Sequence, residues 1–198
     1  MGCDIHGWIE YNKYGRWRPL VNIEMFFDRD YDLFGLLFGV RNYGNFKPVA
    51  EDRGLPEDIS DVVKSEHDKW GLDAHSESWI GWEEIGSINK DMVSEEADSR
   101  IHEYIMENGK WKFLSKATYS ANVAQALQEM TKAETKIWEK EGILIKGEWK
   151  YALEKLSAGE VLNSYGIEKA QKFIDLAKEC LGNKNNELKF RLVVWFDN

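Results

Sequence analysis

The sequence predicts an α+β fold: a small, mostly antiparallel sheet containing both the N- and C-terminal strands, with helices packed on one face. Three observations predict it. The opening "MGCDIHGWIEYN" alternates, placing Cys3, Ile5, Ile9 and Tyr11 on one face and Asp4, His6, Trp8 and Glu10 on the other, as a strand requires. The closing "ELKFRLVVWFDN" alternates as well, with Leu188, Phe190, Leu192, Val194 and Phe196 set against Lys189, Arg191, Val193, Trp195 and Asp197. Between the ends, several segments carry apolar residues at helical spacing. If the end strands pair, Asp4, His6, Trp8, Arg191, Trp195 and Asp197 share one wall, which is either solvated surface or part of a site.

The elements follow in order. "NKYGRW" supplies a hairpin turn and "RWRPLV" the returning strand. In "DRDYDLFGLLFGV", Asp30 or Asp32 caps a short buried helix that runs to Phe38 and ends at Gly39. The stretch from Arg41 to Leu55 has no hydrophobic period and reads as a loop of about 15 residues, a length that is commonly functional when ordered. "LPEDISDVVKSEHDKWG" predicts a helix with Pro56 in its first turn and Ile59, Val62, Val63, His67 and Trp70 inside. "AHSESWIGWEEIGSI" reads as a loop, a short extended piece and a helical turn. A helix is expected from about Asn89 to Asn108, closed by Asn108-Gly109, with His102 on its charged surface. "KWKFLSKATY" is a strand or a connection. One long helix is expected from Ser120 to about Lys140, and 143–165 is ambiguous. "GIEKAQKFIDLAKECLG" is an amphipathic helix and "NKNN" the polar turn before the last strand. The chain is read as one domain, 1–198, with a mainly helical region at about 90–165.

A length of 198 residues suffices for a sizeable core, and nine tryptophans furnish large anchors. With 35 acidic and 26 basic residues the net charge is −9, so general DNA binding is not expected. There is no apolar run long enough for a membrane span and no secretory signal, so no membrane partner is expected. Cys3 and Cys180 lie far apart and outside any C-x-x-C pair, which suits reduced thiols in the cytoplasm. Cys3, on the core face, reads as packing. The oligomeric state is left open, a homo-oligomer included.

Arginine is unevenly placed. Five of seven, Arg16, Arg18, Arg29, Arg41 and Arg53, lie in the first 53 residues. The guanidinium fork suits carboxylate or phosphate, so Arg29, Arg41 and Arg53 are candidates for an anion clamp, against the alternative of ion pairs with Asp30, Asp32, Glu51 or Asp52. His6 and His75 adjoin short polar residues and a tryptophan. With Asp4, and Asp58 or Asp73 nearby, they offer imidazole and carboxylate either for a divalent metal such as zinc, manganese or iron or for metal-free acid–base work near neutral pH. His67 reads as an inner residue. The G-x-S-x-G, P-loop, G-x-G-x-x-G and H-E-x-x-H motifs are absent, as is a pair of H-x-[ST] motifs.

The blocks "MGCDIH", "RDYDLFGLLFGVRN", "RGLPEDIS", "WGLDAHSESW" and "RLVVWFDN" occur in that order. In this the sequence resembles a family of small bacteriophage and prophage proteins that open MGCDIH, carry R-x-Y-D-L-F and V-R, R-G-L-P-x-D-x-S and H-S-x-S-W blocks, and end near W-F-D-N. The family blocks coincide with Cys3, Asp4, His6, Arg29, Tyr31, Asp32, Arg41, Arg53, Asp58, His75, Ser78, Trp79, Arg191 and Asp197, which favours a site over plain surface. The resemblance covers both ends and leaves about Lys90 to Lys184 without a motif.

The expectation is a cytoplasmic protein of an infected or lysogenic bacterium that binds, and hydrolyses, a phosphate-bearing nucleotide such as a cyclic nucleotide defence signal. In that reading His6, His75, Asp4 and Asp58 are the acid–base candidates. Arg29, Arg41, Arg53, Arg191, Trp8, Tyr31, Ser78 and Trp79 hold the ligand, and Asp4, His6 and His75 are the candidate metal ligands. The alternatives are a sponge that sequesters the same ligand without chemistry, and a protein–protein inhibitor or scaffold. The enzyme is preferred because a sequestering pocket needs no Asp–His constellation.

Overall fold

The computed structural model describes residues 2–118, 120–182 and 187–197. In chain order the elements are β1 (Asp4–Lys13), β2 (Arg16–Asn22), α1 (Tyr31–Phe38), α2 (Asp61–Asp68), β3 (His75–Gly81), α3 (Trp82–Ser87), β4 (Ile101–Glu107), β5 (Lys110–Ala117), α4 (Ala121–Gln128), α5 (Lys132–Glu141), β6 (Ile143–Lys146), β7 (Trp149–Ala152), α6 (Ala158–Leu162), α7 (Tyr165–Leu181) and β8 (Lys189–Asp197). The fold is α+β. The chain divides into two compact units, one formed by residues 1–42, 47–92 and 157–198, the other by 43–46 and 93–156. No helix among the described residues is long and apolar enough to cross a membrane.

The first unit holds an antiparallel sheet of order β2-β1-β8-β3. The β1–β2 hairpin turns through Tyr14 and Gly15, both with positive φ, the geometry that matches strand twist. The two end strands pair as expected, with Asp4 opposite Asp197, His6 opposite Trp195, Trp8 opposite Val193 and Glu10 opposite Arg191. Paired residues point to the same side, so the expected wall exists. Gly7, on the other face of β1 beside Val194, has φ 146°, and a Cβ there would run into the main-chain oxygen of Val193. Only glycine lets β1 approach β8 so closely.

On the Ile5–Phe196 side, α1 packs through Phe34 and Phe38, whose rings lie 5.3 and 6.0 Å from Phe196. The Asp30 side chain caps α1 by accepting the Leu33 N–H at 3.1 Å, and Gly39 ends it in the left-handed region. Residues Leu33 to Phe38 are all buried. Ser164 caps α7, and Gly182 at φ 71° closes it.

The opposite face also carries a helix. Val63 of α2, with Leu55, Ile59 and Trp70, covers Trp8, Trp79, Val193 and Trp195. The helix expected from Pro56 begins only at Asp61. The Glu10 carboxylate accepts the Ser60 N–H at 2.9 Å and Arg191 donates to the Asp58 carbonyl at 3.1 Å, which pins this stretch onto the sheet before the helix can start. Val62, expected inside, is exposed.

The second unit departs most from expectation. Its antiparallel sheet, of order β5-β4-β7-β6, lies where a mainly helical region was expected. Residues 101–107 form β4 because Ile101, Glu103 and Ile105 alternate with His102, Tyr104 and Met106. Asn108 and Gly109, at φ 50° and 75°, turn a hairpin into β5 rather than closing a helix. The single helix expected at 120–140 is two, since Thr131 and Glu134 form a capping box that starts α5. Val123, Ala126, Leu144 and Tyr151 make this unit's core, flanked by Ile101, Met130, Trp138 and Trp149. His102 is buried rather than on the surface. The turn expected at "NKNN" (183–186) lies outside the described residues.

Candidate functional site

The wall is roofed over at His6 and Arg191, while the Asp4 side chain at its edge stays half-exposed. Arg191 is 3 % exposed. Its Nε donates to Glu10 Oε2 at 2.8 Å and its Nη1 to Asp58 Oδ1 at 2.6 Å, and the guanidinium lies 3.9 Å from the Trp17 ring. Trp17 Nε1 donates to the other Asp58 oxygen at 2.8 Å. Burial would raise the Asp58 carboxyl, but the hydrogen bonds and charge of Arg191, with the Trp17 N–H, hold it below the usual range. Arg191 and Asp58 thus clamp the 55–60 segment to the sheet. Trp8 and Trp79 belong to the core beneath it.

His6 is also enclosed. Its Nδ1 lies 2.9 Å from Glu24 Oε1, its Nε2 3.5 Å from Asp197 Oδ1, and its ring 3.9 Å from that of Trp70. Asp4 is gripped by Arg29, with Nε to Oδ1 at 2.6 Å and Nη2 to Oδ2 at 3.0 Å, and those hydrogen bonds hold Asp4 below the ordinary carboxylate range.

His75 lies on the other side of the sheet. It pairs with Phe196 in register and stacks on its ring, so it faces away from Asp4 and His6. The expected metal set of Asp4, His6 and His75 is therefore split between two faces. Among the described residues no group of three or more His, Cys, Asp or Glu side chains is placed to hold a metal ion.

The three clamp arginines do not converge. Arg53 donates to both Glu84 oxygens at 2.9 and 2.6 Å and to the carbonyls of Trp79 and Val49. Ser78 is buried, donating to the Ala50 carbonyl and accepting the Arg53 N–H at 3.4 Å. Tyr31 accepts the Cys3 N–H at 3.1 Å, fixing the start of β1 on α1. Arg53, Ser78 and Tyr31 thus join the chain's segments to one another.

Two sets of block residues line cavities: Asp58 and Ser60, with Arg16 and Trp17, border about 420 Å³, and a second set lies on the His75 face. Cys3, Arg41, His75 and Ser76, with Phe38, Gly39, Val40, Glu51 and Asp52, enclose about 370 Å³ at the end of the sheet where β1 and β3 begin, a volume typical of small-molecule sites. Gly39 lets the Glu51 carboxylate and Pro48 pack onto the end of α1, where a Cβ would collide with the carboxylate and crowd the proline ring. Arg41, Asp52 and Ser76 have φ of 49°, 50° and 52°. Three non-glycine residues in the left-handed region around one cavity mark stored backbone strain, which gathers at functional sites. His75 Nδ1 lies 3.0 Å from Ser76 Oγ, and its buried Nε2 has no hydrogen-bond partner among the described residues. Burial pushes the Cys3 thiol up, while the hydrogen bond and charge of Arg41 pull part of the way back.

Sequence reasoning named Arg41 and His75, took Cys3 for packing, named Glu51 and Asp52 only as ion-pair partners for the arginines, and gave Ser76 no role. The available signal was the long aperiodic loop from Arg41 to Leu55, which supplies three of the lining residues. No protein-family model, curated protein or solved structure matches the chain significantly.

Proposed function

We propose that this protein binds a small phosphate-bearing, nucleotide-like ligand in the cavity between the starts of β1 and β3. The observation that carries the reading is the cavity lining: a guanidinium, a histidine with an unpartnered buried nitrogen and three strained backbones around about 370 Å³. Arg41 supplies a planar fork for phosphate oxygens. Glu51 and Asp52, exposed at the mouth, suit sugar hydroxyls or base amino groups as hydrogen-bond acceptors. His75 is the proton-transfer group for hydrolysis. The resemblance to phage and prophage proteins supports a host nucleotide signal as the ligand, acted on in the bacterial cytoplasm.

Sequestration without turnover is the second reading. It is favoured by the ion pairs that occupy Asp4, His6 and Asp58, since those residues were the reason to prefer an enzyme. Incubating the purified protein with mono-, di- and cyclic nucleotides, with and without divalent metals, and chromatographing before and after heat denaturation separates the two. Product supports hydrolysis, and intact ligand released by heat supports sequestration. Arg41→Lys should weaken binding by about 1–3 kcal/mol, the scale of a charged hydrogen bond. Parent-like affinity in that variant removes the cavity from consideration.

A further inference from the structure

We infer that a third cavity, between α3 and α7, takes up a free α-amino acid with a large apolar side chain. None of its residues lines either cavity described above, and the inference stands apart from the nucleotide reading.

The floor of this cavity is apolar. Trp82 and Ile85 of α3, Leu162 of α6 and Ile167 of α7 line a space of about 330 Å³, within the range of small-molecule sites. The indole N–H is already engaged: Trp82 Nε1 donates to Gln171 Oε1 at 2.6 Å, and Gln171 Nε2 donates to Asp175 Oδ1 at 2.8 Å. These bonds hold the ring in place, and the carbon surface beside it rewards an apolar occupant.

Gly86 keeps the space open. It stands in the last turn of α3 and lines the same cavity. Glycine is a poorer helix former than alanine, and two reasons commonly justify it, a left-handed backbone or a crowding neighbour. Neither applies here. Gly86 does not have a positive φ, and a Cβ built on it meets no atom within 4 Å beyond its chain neighbours and its own helix backbone. What the missing side chain leaves is room.

The mouth carries one charge of each sign. Glu83 and Lys90 are exposed, both line the cavity, and neither side chain has a hydrogen-bond or ion-pair partner among the described residues. Neighbouring charges on α3 and α7 are engaged, Glu84 with Arg53, Glu168 with Lys172 and Asp175 with Lys178. A free α-amino acid complements the whole set. Its ammonium meets Glu83, its carboxylate meets Lys90, and its side chain enters the apolar floor. An internal peptide segment has both groups tied up as amides and would leave the two charges unanswered.

Calorimetric titration of the full chain tests this, with L-phenylalanine and L-leucine as ligands and glycine, phenethylamine and 3-phenylpropanoate as controls. Saturable binding of the first two is expected. Glycine lacks the apolar body and should not bind. Phenethylamine and 3-phenylpropanoate each lack one charge and should bind about tenfold or more weakly than L-phenylalanine, the scale of a charged hydrogen bond. Gly86→Leu places its side chain in open space, so its thermal midpoint should be no lower than the parent's while affinity falls at least about tenfold. Glu83→Gln should weaken L-phenylalanine and phenethylamine and spare 3-phenylpropanoate, and Lys90→Gln should weaken L-phenylalanine and 3-phenylpropanoate and spare phenethylamine. No saturable binding of either amino acid at about 10 mM overturns the inference. Parent-like affinity in Gly86→Leu overturns it too, as does equal affinity for L-phenylalanine and either singly charged analogue.

Discussion

Replacing Arg191 by methionine removes a guanidinium that is 3 % exposed while roughly preserving the bulk of its stem. The consequence divides unevenly between its two partners. The Glu10 side chain is 0 % exposed and faces Arg191 at 2.8 Å, whereas the Asp58 side chain is 66 % exposed. Loss of the Asp58 pair costs about 0–1 kcal/mol, the value of a solvated ion pair. Loss of the Glu10 pair strands a buried carboxylate that keeps the Ser60 N–H, at about 3–5 kcal/mol. The cation–π contact with Trp17 adds about 0.5–2 kcal/mol. Arg191→Met should therefore destabilise the first unit by several kcal/mol, a large part of a typical domain's stability. Asp58→Asn should cost about 1 kcal/mol, and Glu10→Met combined with Arg191→Met should recover much of the loss. Urea unfolding followed by tryptophan fluorescence reads all four proteins, and calorimetry with a cyclic nucleotide checks that cavity affinity is unchanged. A loss under about 1 kcal/mol in Arg191→Met, or a selective loss of nucleotide affinity at unchanged stability, would refute the assignment of Arg191 to the scaffold.

Three further outcomes are expected. Gly7→Ala should destabilise by about 2–6 kcal/mol, combining a glycine-only backbone conformation with overpacking against β8; a thermal melt close to that of the parent contradicts the close approach of the two strands. His6→Gln should leave nucleotide affinity and turnover near parental values, because His6 and the cavity lie on opposite faces of the sheet; a rate loss beyond tenfold at unchanged stability moves the chemistry to the covered face. In the second unit, Asp98 is fully buried among Arg100 at 2.7 Å, His102 at 3.1 Å and Lys116 at 3.4 Å. Burial would raise its carboxyl, but these hydrogen bonds and charges hold it well below the usual range. Its contribution is then complete above the ordinary carboxylate range and is lost as pH falls through the lowered folded value. Native-state hydrogen exchange of β4 should show protection falling below about pH 4, and Asp98→Asn should lower protection at pH 7 and flatten that fall. An unchanged acid profile in Asp98→Asn rules out this carboxylate as the source.

Local sequence determined the elements whose signals are local. Period-two alternation made β1 and β8 legible from Cys3 to Tyr11 and from Leu188 to Asp197, and the polar wall followed once they paired. Asp30 and Gly39 marked both ends of α1, because a cap and a left-handed stop depend on residues within one turn. The long loop after Arg41 was legible as a segment worth attention, because it lacks any hydrophobic period. The second unit was misread between Asn89 and Asn108 because Met92, Val93, Ala97, Ile101 and Ile105 fit helical spacing by coincidence, while Asn108-Gly109 serves a helix end and a hairpin equally well. Only the tertiary structure decided which charges meet. Asp4 with Arg29, Arg53 with Glu84, and Arg191 with Glu10 and Asp58 join residues 25, 31, 181 and 133 positions apart, and no local pattern encodes such partners. It also decided that His6 and Arg191 are covered by residues 55–70 while the opposite face of the sheet keeps a cavity at the end where β1 and β3 begin. Alternation fixes which side chains share a face, but what packs on that face depends on where distant apolar surface finds burial.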